Sequence, residues 1–215
     1  MISKITPYII VVVAVSILGF VTENIWIGMR FGYFDNRGMM LPGLLGYGMA
    51  MVGMFLILGT PGTPQLLWYK LSFEKRGYGV IYYVIMAAVL VSVGEIILGN
   101  LVERFCQIEW WNYLTLPLHI GKYTSVFTSL GFGLLITIFM DFIFPEIFKW
   151  SIAVNSVSVS IAVTGMLILL IVDFIYAAKY MIQNKKINRI WKVDMRDKYI
   201  ENRGEVMTYG RRRES

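Results

Sequence analysis

The sequence predicts an all-α bundle of about five membrane-spanning helices, in which spans three and four repeat spans one and two in parallel. Three observations carry this. Of 215 residues, 57% are hydrophobic and 16% charged, where a soluble domain carries about 25% charged residues. Apolar runs of roughly twenty residues recur, each long enough for a bilayer core of about 30 Å. Two glutamates, Glu23 and Glu95, stand at corresponding places in two similar stretches.

The expected spans are Pro7–Met29, Pro42–Gly59, Tyr78–Val102, Tyr123–Phe144 and Ser151–Ala178. The first is read as a retained span, not a cleavable leader, because its apolar run continues past Glu23 and no A-x-A site follows. The second is the shortest and the richest in glycine. The fifth is the longest, with a polar start at Asn155, Ser156, Ser158 and Ser160. Residues 1–180 form the membrane domain and 181–215 a basic tail.

Between the spans, Gly59-Thr-Pro-Gly-Thr-Pro64 reads as turns, and Leu66-Leu-Trp-Tyr69 as an interfacial segment, where Trp and Tyr are favoured. The third loop, with Trp110, Trp111, Tyr113 and Tyr123 around Leu116-Pro117-Leu118, is a candidate re-entrant segment. Such a segment is tolerated only where protein or water satisfies its backbone. In the tail, Ile187, Trp191, Met195 and Tyr199 recur every four residues, the pattern of an amphipathic helix. That helix would lie on anionic lipid or dock a partner; an ordinary basic flank is the plainer reading.

Charge sets the expected orientation. The loops after spans one and three, with the tail from Lys179, hold 15 of the 20 basic residues. Cytoplasmic flanks are enriched in Lys and Arg, so the N-terminus is expected outside and the C-terminus in the cytoplasm of a cell membrane, bacterial by expectation.

The repeat rests on motif order. Glu23, Arg37-Gly38, Pro42 and Gly46-Tyr-Gly48 are followed by Glu95, Trp110-Trp-Asn-Tyr113, Pro117, Gly121 and Gly131-Phe-Gly133. Parallel repeats about an axis along the membrane normal are a transporter arrangement. Gly46-x-x-x-Ala50 and Ser129-x-x-x-Gly133 suit close helix packing.

Glu23 lies seven residues before Arg30, and Glu95 eight before Glu103, so each is about 10–12 Å inside the inner end of its helix. A carboxylate there must be paired, hydrated or protonated. It could bind a cation, a proton or a cationic substrate. It could also form a fixed pair, such as Glu23 with Arg37 or Glu95 with Arg104. Asp141 and Asp173 rank below them, Asp173 as a residue able to join the glutamates. Arg37, beside Asn36 and the turn glycine Gly38, could hold a carboxylate or phosphate bidentately. His119 could shuttle protons, though an interfacial histidine is more often simply hydrogen-bonded.

Other chemistry is excluded by motif. One cysteine, Cys106, precludes an intrachain disulfide, and one histidine precludes a histidine-rich metal site. Ile120-Gly-Lys-Tyr-Thr124 fails as a phosphate loop, since residue 116 is Leu and Lys122 precedes Tyr. No ATPase, hydrolase or nucleic-acid-binding role is expected, and no cofactor.

Glu23, Asn36-Arg-Gly38, Pro42 with Tyr47-Gly48, Glu95, Trp111-Asn112-Tyr113 and Gly121 occur in the order found in the CmpB-like family of type IV ABC-transporter membrane proteins, which the chain resembles over about residues 15–150. The family pattern has Trp-Asp-Tyr where this chain has Trp111-Asn112-Tyr113, and an asparagine near the place of His119. The resemblance implies a permease-like subunit served by a separate nucleotide-binding chain. Tyr47, Trp111, Asn112, Tyr113 and His119 then join Glu23, Glu95, Asn36 and Arg37 as candidates to bind substrate or ion. The remaining readings are a membrane-embedded lipid-binding protein or enzyme, and a regulatory or assembly subunit. A five-span chain offers little room for a whole pathway, so a homo- or hetero-oligomer in the lipid bilayer is expected.

Overall fold

The computed structural model describes residues 4–194. Helix α1 spans Thr6–Phe31, α2 Leu45–Leu58, α3 Arg76–Cys106, α4 Val126–Ile138, α5 Phe144–Ala153 and α6 Val157–Asn184. A π turn, Phe139–Ile143, joins α4 and α5 into one rod. Four helices are long and apolar enough to cross a membrane: α1, α3, the α4–α5 rod and α6. The chain is thus a helical membrane bundle.

Each long helix has a physical start or stop. Pro7 opens α1, where its missing N–H costs nothing. Gly32, at φ 77°, closes it by donating to the Gly28 carbonyl. Ser125 and Thr128 form a reciprocal capping box at α4. The Ser156 hydroxyl accepts from the Val159 amide at the start of α6. That cap explains a shifted boundary: Ser151–Ala153, expected to open the fifth span, instead finish α5.

Helix α2 departs most from expectation. Its 14 residues rise about 21 Å, short of a bilayer core. The rest of the predicted span, with the residues just before it, is irregular chain that bends at Met40–Pro42. Met39–Leu44 runs along α1 until the Leu44 amide donates to the Ser16 carbonyl at 2.9 Å, about 22 Å from the Phe31 end of α1. Backbone at that depth persists only where its polar groups are satisfied, and here every amide is. Met39 donates to Asn36, Gly43 to Leu41 and Leu44 to Ser16. Met40 and Leu41 donate to the Asp173 carboxylate at 2.9–3.1 Å, and Pro42 has no N–H to place.

Pairs α1–α2 and α3–α4 make the closest helix contacts through glycine. A Cβ at Gly48 would stand 2.1 Å from the Val12 carbonyl and 2.6 Å from Ser16 Oγ. A Cβ at Gly133 would stand 2.6 Å from the Val84 carbonyl and 3.0 Å from Ala88 Cβ. Val12, Ser16 and Glu23 precede Val84, Ala88 and Glu95 by one constant offset of 72 residues. The core joins the two pairs: Val11, Val15, Met54, Leu58, Tyr83, Ala87, Met140 and Phe144 form one buried cluster.

Short strands close the two ends. Strands β2 (Gly59–Thr60), β3 (Thr63–Leu66) and β4 (Tyr69–Lys70) make an antiparallel meander at the end opposite Arg37. At the Arg37 end, β1 (Tyr33–Asp35) pairs antiparallel with β7 (Lys192–Asp194), and β5 (His119–Ile120) with β6 (Thr124–Ser125). Of the possible amphipathic tail helix, the described part is not helical, and β7 pairs with β1 instead. Ile187 and Trp191 lie in non-helical chain that folds back over the first loop, and Ile187 packs beside Trp110, Val102 and Met181. Met195 and Tyr199 lie outside the described residues.

Candidate functional site

The first loop is held from three sides. Asn36 donates to the carbonyls of Met39 and Asn188, at 2.8 and 2.9 Å, and accepts from the Ile190 amide. Asp35, 1% exposed, accepts from the Arg37 amide, and its own backbone amide donates to Asn24 Oδ1. These contacts set Arg37 at φ 51°, a left-handed conformation uncommon outside glycine, with Gly38 next to it at 84°.

That turn aims Arg37 at Glu23. Its Nε donates to Glu23 Oε2 at 2.6 Å, while Tyr47 Oη donates to Oε1 at 2.9 Å. Both glutamate oxygens are therefore engaged. Burial works against the Arg37 charge, but Glu23 and then Asp35 outweigh it and raise its pKa. The Tyr47 ring reaches back across α1 because Gly19 leaves space; a Cβ there would meet the ring at 2.6 Å. Of the two fixed pairs considered from sequence, this one forms.

Glu95 is held differently. The Thr124 hydroxyl lies beside its carboxyl group and is hydrogen-bonded to Ser129 Oγ at 2.9 Å, while Glu95 Oε2 is buried and makes no hydrogen bond among the described residues. Arg104 is not its partner; that guanidinium lies 6.0 Å from the Phe105 ring centre. Nine helical residues separate Glu95 from Arg104, which puts them on opposite faces at about 100° per residue. Tyr113 feels the Glu95 charge, and Tyr47 feels Tyr113. Burial, and after it Glu95, push the Tyr113 phenol above its ordinary range.

The third loop frames Glu95. Tyr123 packs against Gly99, where a Cβ would meet the ring at 2.3 Å, so Tyr123–Ser125 reaches inside the end of α3. Trp111 Nε1 donates to the Tyr123 carbonyl at 2.8 Å, and the two rings meet edge-on. Lys122 bridges Glu103 and Glu109, each at 2.5 Å, and Tyr123 Oη donates to Glu103. These partners, Glu103 first, raise the Lys122 pKa, and Lys122 followed by Asn112 lowers that of Glu109. Asn112 also accepts from the Leu114 amide at 2.9 Å.

Two candidates stand apart. His119 is exposed, 3.1 Å from the Leu116 carbonyl, on the β5–β6 hairpin. Asp173, a possible companion of the glutamates by sequence, is spent on the Met40 and Leu41 amides instead. Thr124, which sequence reasoning did not single out, is the residue that touches Glu95. Its signal was weak, a buried threonine just ahead of a serine cap. Among the described residues, no group of three or more His, Cys, Asp or Glu side chains is placed to hold a metal ion.

A family model described as "Putative ABC-transporter type IV" matches residues 10–178. The match extends past the region recognisable from motifs and takes in most of α6. No curated protein and no solved structure matches the chain.

Proposed function

The chain belongs to the type IV ABC-transporter membrane-protein family, and on that premise we propose that it is a permease-like transport subunit whose ion- or proton-binding group is Glu95. The observation that carries this reading is the buried Glu95 oxygen with no hydrogen-bond partner. A carboxylate inside a membrane helix needs a counter-charge, water or a proton, and among the described residues Glu95 has no cationic side chain as a partner. Glu23 has one, in Arg37. Glu23 therefore holds the first loop, and Glu95 exchanges its proton or a cation.

The constant 72-residue offset and the matched glycine contacts support a parallel duplication, with the site between the two units, the usual place in repeat-built transporters. Excess Lys and Arg around the Arg37 end support a cytoplasmic location for it. With no phosphate loop in the sequence, energy would come from a separate nucleotide-binding chain. The same arrangement weighs against an Arg37 phosphate site for lipid, since Arg37 is committed to Glu23 and Asp35.

Infrared difference spectra of the full chain in nanodiscs, taken on titration with protons and with Na⁺, test the assignment. The carboxyl signal that responds should vanish in Glu95→Gln and persist in Glu23→Gln. Loss in Glu23→Gln alone, or in neither, would sink it.

A further inference from the structure

At the end opposite Arg37 lies a half-open pocket of about 750 Å³, between the β2–β4 meander and the first turn of α3. That volume is in the range of small-ligand sites, about 300–1,000 Å³. Three charged side chains line it, Lys70, Lys75 and Arg76, and all are cationic. Arg76 is neutralised by Asp141 on the π turn, at 2.7 Å. Lys70 and Lys75 make no ion pair among the described residues. Ser72 adds a hydroxyl to the lining, and Phe55 and Phe73 form apolar walls. Trp68 and Tyr69, 81% and 71% exposed on the neighbouring turn, mark the headgroup level, where such residues gather.

We infer that this pocket binds a phosphate-bearing anion through Lys70 and Lys75. Two unpaired ammonium groups facing one cavity with no carboxylate in its lining give an excess of donors and positive charge. A phosphate, with several acceptor oxygens, complements that set. Lys70 lies on β4 and Lys75 at the N-cap of α3, so two separate elements bring lysines to the one pocket. Asp141 engages Arg76, leaving the lysines to bind. The site is remote from Glu95 and is independent of its proposed role.

Two sources present this chemistry, a phospholipid headgroup and free phosphate. The full chain is placed in phosphatidylcholine nanodiscs and titrated calorimetrically with inorganic phosphate. In parallel, native mass spectrometry follows retention of phosphatidylglycerol from mixed nanodiscs. Binding in the lipid arm alone identifies a headgroup, and binding in the phosphate arm alone a soluble anion. Lys70→Gln with Lys75→Gln should weaken whichever occurs by about tenfold or more with an unchanged melting temperature, while the double Arg variant retains it. No binding in either arm, or equal binding by the double Gln variant, overturns the inference.

Discussion

Glu23 and Glu95 stand at the same 72-residue offset as the glycine contacts of the two helix pairs, yet their surroundings differ. In the first pair, a broken second span brings Arg37 and Tyr47 onto Glu23 and engages both oxygens. In the second, α4 starts at a serine cap, and the loop before it sets Thr124, with no cationic side chain among the described residues, beside Glu95. Equivalent placement along a helix thus leaves the chemistry open. The loop that follows decides which partners each carboxylate meets.

The glycine contacts offer the largest effect by which to break this comparison. Gly48→Ala and Gly133→Ala each force a Cβ against a backbone carbonyl and should cost about 2–3 kcal/mol by overpacking. Gly46→Ala and Gly53→Ala, with open space around them, should be neutral or gain up to ~1 kcal/mol. Thermal unfolding in detergent distinguishes the two classes. A neutral Gly133→Ala beside a costly Gly48→Ala would break the equivalence of the pairs.

Next in size is the contrast between the carboxylates. Arg37→Ala leaves Glu23 with Tyr47 alone. Both partners are less than a third exposed, so the loss should be about 2 kcal/mol, below that of a fully buried pair. Glu95→Gln should change stability by less than about 1 kcal/mol, because no ion pair is lost. Denaturant titrations of the two variants would compare them directly, and a larger loss in Glu95→Gln would reverse the assignment.

Smallest is the pH response of the Lys122 bridge. The Glu109 pKa is lowered in the fold, so its contribution is present above the ordinary Glu value, about pH 4, and fades as pH falls through the lowered one. The Lys122 pKa is raised, so its contribution is full below the ordinary Lys value, about pH 10, and fades as pH rises through the raised one. Melting temperature should be flat between these limits and dip slightly at either side. Lys122→Met should remove the dip, and an unaltered profile would count against the bridge.

The long helices were legible because hydropathy over twenty residues is a strong signal. The break before Leu45 was not, since Met39, Met40, Leu41 and Leu44 are as apolar as helical neighbours, and hydropathy reports side chains rather than backbone state. The four-residue period in the tail misled for a related reason. Ile187 is apolar because it fills the space beside Trp110 and Gly38, not because it lies on a helix face. Glu23 with Arg37 was a visible pairing, whereas Thr124 with Glu95 joins residues 29 apart through a fold that charge patterns do not encode.

Asp173 also orders events in time. It lies on α6, the last described helix to be synthesised, yet it satisfies two amides of a segment made more than 130 residues earlier. During insertion, Met40 and Leu41 must wait, in water or against temporary partners, until α6 arrives. The first helix pair is therefore left provisional for most of translation, and assembly completes from the C-terminal side backwards.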